Sequence, residues 1–372
     1  MKVGVPKECA AVETRVAATP ETVKKLTAKG AALQVERGAG AGARIPDADF
    51  EAAGATLVDA AEALAADIVV KVRRPSRDEA AKMGSGAVLI ALLDPCADDG
   101  TLKVLADGKV SALAMEAIPR ISRAQSMDAL SSQANIAGYR AVIEGAAQYA
   151  RFFPMMMTAA GAAKPAKLIV LGAGVAGLQA IATARRLGCE TEAFDVRPEV
   201  KEQVESLGAK FIELELGESG AGEGGYAKEL SEEAKKRQQE ALTEYLKRAN
   251  IIVTTALIPC RPAPVLITED AVKGMVEGSV IVDLAAAAGG NCPLTKADEV
   301  TTVHGVRLVG YTNYPAMVSG DASSFYARNV FNLLNLMLEE ADGNVTVKDF
   351  QEDEITKAAL VTHGGDILYG QS

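Results

Sequence analysis

Apolar positions recur along the chain in two patterns. Val3–Val5, Leu33–Val35, Ile68–Val72, Val88–Leu92 and Val110–Ala114 are apolar at nearly every position and read as strands buried on both faces. Between them lie Ala-rich stretches with helical periodicity and legible ends. Thr19, Pro20 and Glu21 make an N-cap, a first-turn proline and a first-turn acid, and Gly30 closes that helix. Buried strands alternating with helices predict a parallel sheet covered by helices.

A long Ala-rich helix over about Ser132–Arg151 separates this series from a second. The strands of the second are Leu168–Leu171, Thr191–Phe194, Phe211–Ile212, Ile251–Thr254, Val280–Asp283 and Val306–Val309. Another helix follows over about Ala322–Glu340, with Ala327, Val330, Phe331, Leu334, Met337 and Leu338 at helical spacing. The remaining tail is too short to fold alone and keeps a strand signal at Val345–Val347, so it is expected to return to the first domain. The expected architecture is α/β, with two Rossmann-like domains whose parallel sheets are flanked by helices and joined by long helices. Residues 1–131 with 320–372 would form a discontinuous N-terminal domain, and 132–319 a continuous second domain.

Composition narrows the function classes. The 372 residues are 49% hydrophobic and 24% charged, a soluble globular balance whose length suits two or three domains. Aromatic residues make up 4% and Trp is absent, which argues against a base-stacking platform, and a net charge of −10 argues against nucleic acid altogether. No apolar run of about 20 residues is present, and the opening MKVGVPKE is charged and Pro-containing, so neither a membrane span nor a signal peptide is expected. Cysteines at 9, 96, 189, 260 and 292 show neither CxxC spacing nor a disulfide ladder, which fits a reduced, cytosol-like compartment. His304 and His363 are the two histidines. Both read as turn or surface residues, and no metal site is expected.

The strongest motif follows the strand at 168–171. Gly172-Ala-Gly174-Val175-Ala176-Gly177 leads into a helix, and Asp195 stands eighteen residues beyond the third glycine at the end of the next strand. Gly172 permits a tight turn, Gly174 lets the backbone approach a pyrophosphate, and Gly177 lets helix pack on strand. The helix start offers free N–H groups and a positive dipole end to phosphates. Asp195 would accept from the adenosine ribose and repel a 2′-phosphate, favouring NAD(H) over NADP(H). Arg197, two residues on, works against that preference because it can pair with such a phosphate. A Gly-rich turn that binds nothing is the bland reading of the same motif.

Two further stretches are polar without apolar periodicity. Arg120–Ser132 (RISRAQSMDALSS) places Arg120, Arg123, Gln125, Asp128 and Ser131 between the two strand series, a mix suited to a carboxamide and a ribose and equally compatible with a solvated loop. Gly217–Tyr226 (GESGAGEGGY) reads as a flap or a linker. Hydride transfer to a carbonyl or imine normally uses a proton donor, often His, whereas transfer between two nicotinamides needs only alignment. The scarcity of His tilts toward the second.

Arg120–Ser132, Phe153–Gly161 (FPMMMTAAG), Gly172–Gly177, Thr254–Pro259 (TTALIP), Gly289-Gly-Asn291, Asn313 and Asp321-Ala-Ser323 together carry a resemblance over nearly the whole chain. The sequence resembles the NAD(H)-binding component, domain I, of proton-translocating nicotinamide nucleotide transhydrogenase, which shares a superfamily with alanine dehydrogenase. The resemblance implies that Arg120, Gln125, Asp128 and Ser131 surround the nicotinamide end, with Gln125 reaching toward a nucleotide on a partner. The cofactor-binding set it implies is Gly172, Gly174, Val175, Ala176, Gly177, Asp195, Val196, Arg197, Tyr226, Thr255 and Ala256, with the Gly-rich segment before Tyr226 a mobile loop that closes over NAD(H). It implies direct, reversible hydride transfer to NADP(H) bound on a separate component, and a membrane component that couples the transfer to proton movement. It also implies a homodimer and a cytoplasmic location peripheral to the inner-membrane complex, as the separately encoded soluble subunit.

Two departures stand out against the family. Ala287 occupies a position usually acidic or amide, and Cys260 one usually Gly. An alanine dehydrogenase-like enzyme is the main alternative. It would use Arg15 and Lys71 on its substrate, and both are present, but Leu93 and Asp94 stand where its His is expected and Ala287 where its Asp is. A non-enzymatic NAD-sensing module is the third reading.

Overall fold

The computed structural model describes residues 1–214, 232–341 and 344–369. The chain divides into two compact units, Met1–Gln133 with Pro315–Ser372, and Ala134–Tyr314.

Among the described residues, the first unit carries an eight-stranded sheet. Its order is Asp366–Ile367, Leu360–His363, Ser111–Ala114, Val88–Leu92, Ile68–Arg73, Lys2–Val5, Ala32–Glu36, Thr56–Val58. The six strands from Ser111–Ala114 to Thr56–Val58 run parallel; Leu360–His363 lies antiparallel to Ser111–Ala114, and Asp366–Ile367 antiparallel to Leu360–His363. Alternate residues of each central strand feed apolar layers on opposite faces: Val70 and Ile90 join one, Val69 and Leu89 the other. Burial on both faces is why these strands read as unbroken apolar runs.

The tail departs from the sequence reading in its details. The strand signal at 345–347 does form a strand, Asn344–Val347, but it pairs with Leu338–Ala341 in a separate two-stranded ribbon. Leu360–His363 is the segment that enters the sheet, where the Thr362 hydroxyl donates to the Val110 carbonyl at 2.8 Å. The helix Ser319–Met337 buries Tyr326, whose hydroxyl donates to the Lys71 carbonyl at 2.8 Å.

Among its described residues the second unit carries a seven-stranded sheet in the order Lys210–Phe211, Glu190–Phe194, Lys167–Leu171, Ile251–Thr254, Val280–Asp283, Val306–Val309, Val300–Val303. All neighbours are parallel except the last pair, a hairpin that turns at His304 and Gly305, both with positive φ. Leu168 and Val170 pack into one apolar layer with Ala180 and Ile181, and Ile169 and Leu171 into the other with Leu242 and Ile267.

The long helix expected over 132–151 spans Ala129–Gln148. Its start lies three residues earlier because the Asp128 carboxylate accepts from the Ser131 N–H at 2.8 Å and from the Ser131 hydroxyl at 2.5 Å, a side-chain cap. Among the described residues no helix is long and apolar enough to cross a membrane, and no cluster of His, Cys, Asp and Glu could hold a metal.

Candidate dinucleotide site

In the second unit, strands Lys167–Leu171 and Ile251–Thr254 are neighbours whose following connections leave to opposite sides of the sheet. That is a topological switch point, and the carboxyl ends of two such strands flank a crevice. Both ends carry residues singled out from the sequence: Gly172–Gly177 after the first, Thr255 and Ala256 after the second.

The three glycines meet three different physical requirements. Gly172 has φ +92°, a left-handed conformation that a side chain would strain. A Cβ on Gly177 would lie 1.8 Å from the Gly172 carbonyl oxygen, so only glycine lets helix Val175–Arg186 pack back on the turn. Gly174 is different: its φ is −76°, and a Cβ there would meet nothing within 4 Å. Neither backbone nor packing requires glycine at 174. The open space before the helix start does suit a phosphate group approaching the main chain. Among the described residues no side chain caps that helix at its N-cap, Gly174, which leaves its first N–H groups and dipole to suit an anion. The residues present therefore fit a dinucleotide pyrophosphate.

Asp195 follows strand Glu190–Phe194 and sits against the same turn. Its Oδ2 accepts from the Ala173 N–H at 2.7 Å, and its carboxylate also takes the Arg197 backbone N–H and guanidinium. The hydrogen bond to Asp195 raises the Arg197 pKa above its ordinary value despite burial. Val196, between them, packs partly buried against the core. Val175 is exposed on the first helical turn and Ala176 half-buried beside it.

Thr255 locks the two strand ends together: its N–H donates to the Leu171 carbonyl at 2.8 Å and its hydroxyl to the Gly172 carbonyl at 3.0 Å. Ala256 is held by Asn291, which stands out in the sequence only as part of a resemblance block. The Asn291 side chain is wholly buried. It accepts from the Thr254 hydroxyl at 2.6 Å and the Ala256 N–H at 3.2 Å, and donates to the Ala256 and Pro264 carbonyls at 2.8 Å each. Asp283, also wholly buried, in turn accepts from the N–H groups of Ala285, Asn291 and Cys292 and from the Thr295 hydroxyl. Burial pushes the Asp283 carboxyl above the usual carboxylate range, against the pull of those donors. Two buried polar residues thus wire the loop after Ile251–Thr254 to the loop after Val280–Asp283.

On that second loop Ala287 is exposed and brings no acid or base. Cys260 adopts φ +59°, the left-handed region, at a cost of about 1 kcal/mol that a glycine would avoid. Tyr226 and the Gly-rich segment 217–226 lie outside the described residues.

The polar segment 120–131 belongs to the first unit. Ser122–Met127 forms a short 3₁₀ turn with Gln125 exposed, and Arg120 is exposed just before it. Asp128 and Ser131 are joined as cap and capped residue. Arg123 points elsewhere: its guanidinium pairs with Asp353 at 2.6 and 3.0 Å and with Glu354 at 3.1 Å, tying the tail in place.

The first unit has its own switch point, between Lys2–Val5 and Ile68–Arg73. A buried ion network lies around the carboxyl ends of those strands. Arg15, 3% exposed, forks onto Glu13 at 2.8 and 2.7 Å and donates to the Gln133 side-chain amide oxygen Oε1 at 2.7 Å. Lys71, 1% exposed, pairs with Glu79 at 3.0 Å and Glu8 at 3.5 Å. Burial opposes the charge of Lys71, but the Glu8 and Glu79 carboxylates outweigh it and hold the ammonium above its ordinary pKa. Leu93 is wholly buried in the core, and Asp94 adopts a left-handed conformation after it.

Both histidines sit at the amino edges of their sheets. His363 Nδ1 is 2.9 Å from the hydroxyl of Ser111, the first residue of its strand, and His304 in the hairpin turn is 2.9 Å from Glu269. Neither approaches the strand ends where the candidate residues gather.

Known proteins share both the sequence and the fold. Residues 4–137 match the N-terminal domain of the alanine dehydrogenase/PNT family and residues 141–370 its C-terminal domain. The chain is 51% identical to an NAD(P) transhydrogenase alpha subunit of Rhodospirillum rubrum, over 99% of this chain and 98% of that one. The structure of a transhydrogenase from Sinorhizobium meliloti superposes with a TM-score of 0.87 at 45% identity, covering 100% of this chain and 99% of the other. An L-alanine dehydrogenase superposes with a TM-score of 0.82 at 25% identity, covering 100% and 97%.

Proposed function

The chain belongs to the alanine dehydrogenase/PNT family, and on that premise we propose that it is the NAD(H)-binding subunit of a proton-translocating transhydrogenase. In this reading it holds NAD(H) for direct, reversible hydride exchange with NADP(H) on a separate component. A membrane component couples the exchange to proton movement, and the subunit works in the cytoplasm against that complex.

One observation carries the reading: among the described residues, the carboxyl edge of the second sheet fits a dinucleotide and holds neither histidine. An uncapped helix start and the open space at Gly174 are ready for a pyrophosphate. Ala287 stands on the loop where a catalytic acid would serve an amino-acid dehydrogenase, and both histidines lie at the opposite edges of their sheets. Bound nicotinamide supplies the hydride itself. The protein's own task is then to position and to exclude water, because transfer between two nicotinamides requires alignment and no proton donor.

The residues divide that work. Backbone N–H groups from Val175 to Gly177 take the pyrophosphate, Asp195 the adenosine ribose, and Thr255 and Ala256 line the floor, with Val196 and Arg197 beside the ribose. Asn291 acts through Ala256 as a positioning residue. Arg120, Gln125, Asp128 and Ser131 are assigned to the nicotinamide. Asp128 fixes the Ser131 hydroxyl and keeps acceptor capacity for a carboxamide N–H, and exposed Gln125 can reach toward the partner's nucleotide.

A homodimer is part of the proposal. The antiparallel hairpin Met156–Thr158/Gly161–Ala163 exposes Met157, with Met155 and Phe152 exposed beside it, an apolar surface that a second copy would cover.

The alanine dehydrogenase alternative is disfavoured by Leu93 and Ala287, and by the engagement of Arg15 and Lys71 with internal carboxylates. The test is a pair of assays on the purified chain with NADH, one with pyruvate and ammonia, the other with an NADP⁺-loaded partner component. Turnover only with the partner is expected. Turnover only with pyruvate and ammonia would overturn the proposal, and turnover in neither would favour a binding module.

A further inference from the structure

The Asp195 carboxylate, assigned above to the adenosine ribose, is already fully engaged within the protein. Oδ1 accepts from the Arg197 backbone N–H and Nε at 2.9 Å each, and Oδ2 from Arg197 Nη2 at 2.8 Å and the Ala173 N–H at 2.7 Å. A carboxylate has about four acceptor positions, and these four donors fill them. Two are backbone groups fixed by the turn. The other two belong to one guanidinium that can leave by side-chain rotation. Both side chains are largely shielded, 5% exposed for Asp195 and 12% for Arg197, so the bond forms away from bulk water.

We propose that Arg197 is a latch on the ribose subsite and the residue that sets discrimination between NAD(H) and NADP(H). In the free protein its guanidinium occupies Asp195. The ribose 2′- and 3′-hydroxyls of NADH displace it, whereas the 2′-phosphate of NADPH recruits it. The inference rests on the dinucleotide reading of this site.

Two consequences follow from charge. A lone Asp at the end of this strand repels a 2′-phosphate. The Asp195–Arg197 pair is formally neutral and the guanidinium keeps its charge at all working pH values, so the repulsion is offset. The latch also lowers NADH affinity, because ribose must compete with a charge-assisted bidentate bond already made. Removing the guanidinium should therefore move the two affinities in opposite directions. A residue that merely braced the fold would move them together.

The experiment titrates NADH and NADPH into the full chain, followed by nicotinamide fluorescence, for wild type, Arg197→Met, Arg197→Lys and Asp195→Asn. In Arg197→Met, NADPH binding should weaken about tenfold or more while NADH binding holds or tightens. Arg197→Lys keeps the charge and loses the fork, so NADH should tighten with NADPH largely retained. This variant carries the test if the Met variant fails to fold. Equal weakening of both nucleotides, or an unchanged ratio, would overturn the latch. Asp195→Asn separates the two levels of the argument. If it leaves NADH affinity unchanged, the ribose assignment itself fails. If it weakens NADH while the Arg197 variants leave the ratio unchanged, only the latch fails.

Discussion

The Asn291 carboxamide donates to the Ala256 carbonyl at 2.8 Å while accepting from the Ala256 N–H at 3.2 Å, so one buried side chain reads both backbone groups of the residue after Thr255. The two residues stand 35 positions apart in the chain, and Asp283 anchors the Asn291 backbone N–H. Replacing Asn291 by Ala strands the Thr254 hydroxyl and the Ala256 and Pro264 groups in the interior. A loss of about 1–3 kcal/mol in thermal or urea unfolding is expected, together with weaker NADH binding. An unchanged melting temperature would show that the network contributes nothing to the loop.

The glycine motif allows binding and folding to be separated. Gly174→Ala adds a methyl group where nothing lies within 4 Å and φ is ordinary. Stability should be unchanged or slightly higher, by up to about 1 kcal/mol, while NADH affinity falls at least about tenfold through lost approach of the pyrophosphate. Gly177→Ala instead forces a Cβ to within 1.8 Å of the Gly172 carbonyl, and should cost about 1–3 kcal/mol or more of stability. Unfolding curves run beside NADH titrations distinguish the two. Equal affinity for NADH in wild type and Gly174→Ala would remove the pyrophosphate from this turn.

Gln125→Asn should slow hydride transfer far more than it weakens NADH binding, because its assigned duty is alignment toward a nucleotide on another component. Single-turnover transfer with the partner component, compared with an NADH titration on the chain alone, reads the two effects separately. Equal falls in rate and affinity would make Gln125 an ordinary binding contact.

The return of the tail to the first unit has an acid-sensitive fastening. Glu21 accepts from Arg328 at 2.7 Å and from Lys25 at 2.8 Å, joining helix Pro20–Thr27 to helix Ser319–Met337. Hydrogen bonds from Arg328 and then Lys25 hold its carboxyl down from 4.5 to about 2. A depressed carboxyl contributes stability that is present above its unfolded pKa and is lost as pH falls through the folded one. The difference in melting temperature between wild type and Glu21→Gln should thus be constant above about pH 5 and vanish between pH 4.5 and 2. Its size should be small, since the pair is exposed and screened. A difference that grows on acidification would contradict the assignment.

The features legible in the sequence are those whose chemistry is local. Gly172, Gly177 and Asp195 stand out because a turn, a packing contact and a strand end each constrain a residue type within a few positions. Buried parallel strands declare themselves as apolar runs for the same reason. Roles set by distant partners are less legible. Asp128 reads as a ligand contact from composition, yet its carboxylate also caps the long helix, which is why that helix begins earlier than its apolar periodicity suggests. Val345–Val347 carries a strand signal, but Leu360–His363 joins the sheet, a choice made by the free edge at Ser111–Ala114. The edge strand Val300–Val303 escapes an apolar reading because its threonines interrupt the run. Asn291 is the clearest case, since its partners at Thr254, Ala256 and Pro264 lie far away along the chain.

The central claim is that hydride passes directly from a nucleotide on this chain to one on a partner. NADH carrying deuterium on the transferred C4 position, bound to this subunit, should be mixed with the NADP⁺-loaded partner component and the products read by mass spectrometry. The account predicts NADPH that carries the deuterium, with none released to water and none delivered to pyruvate and ammonia when these are offered instead. Deuterium in solvent, or in alanine, would contradict it.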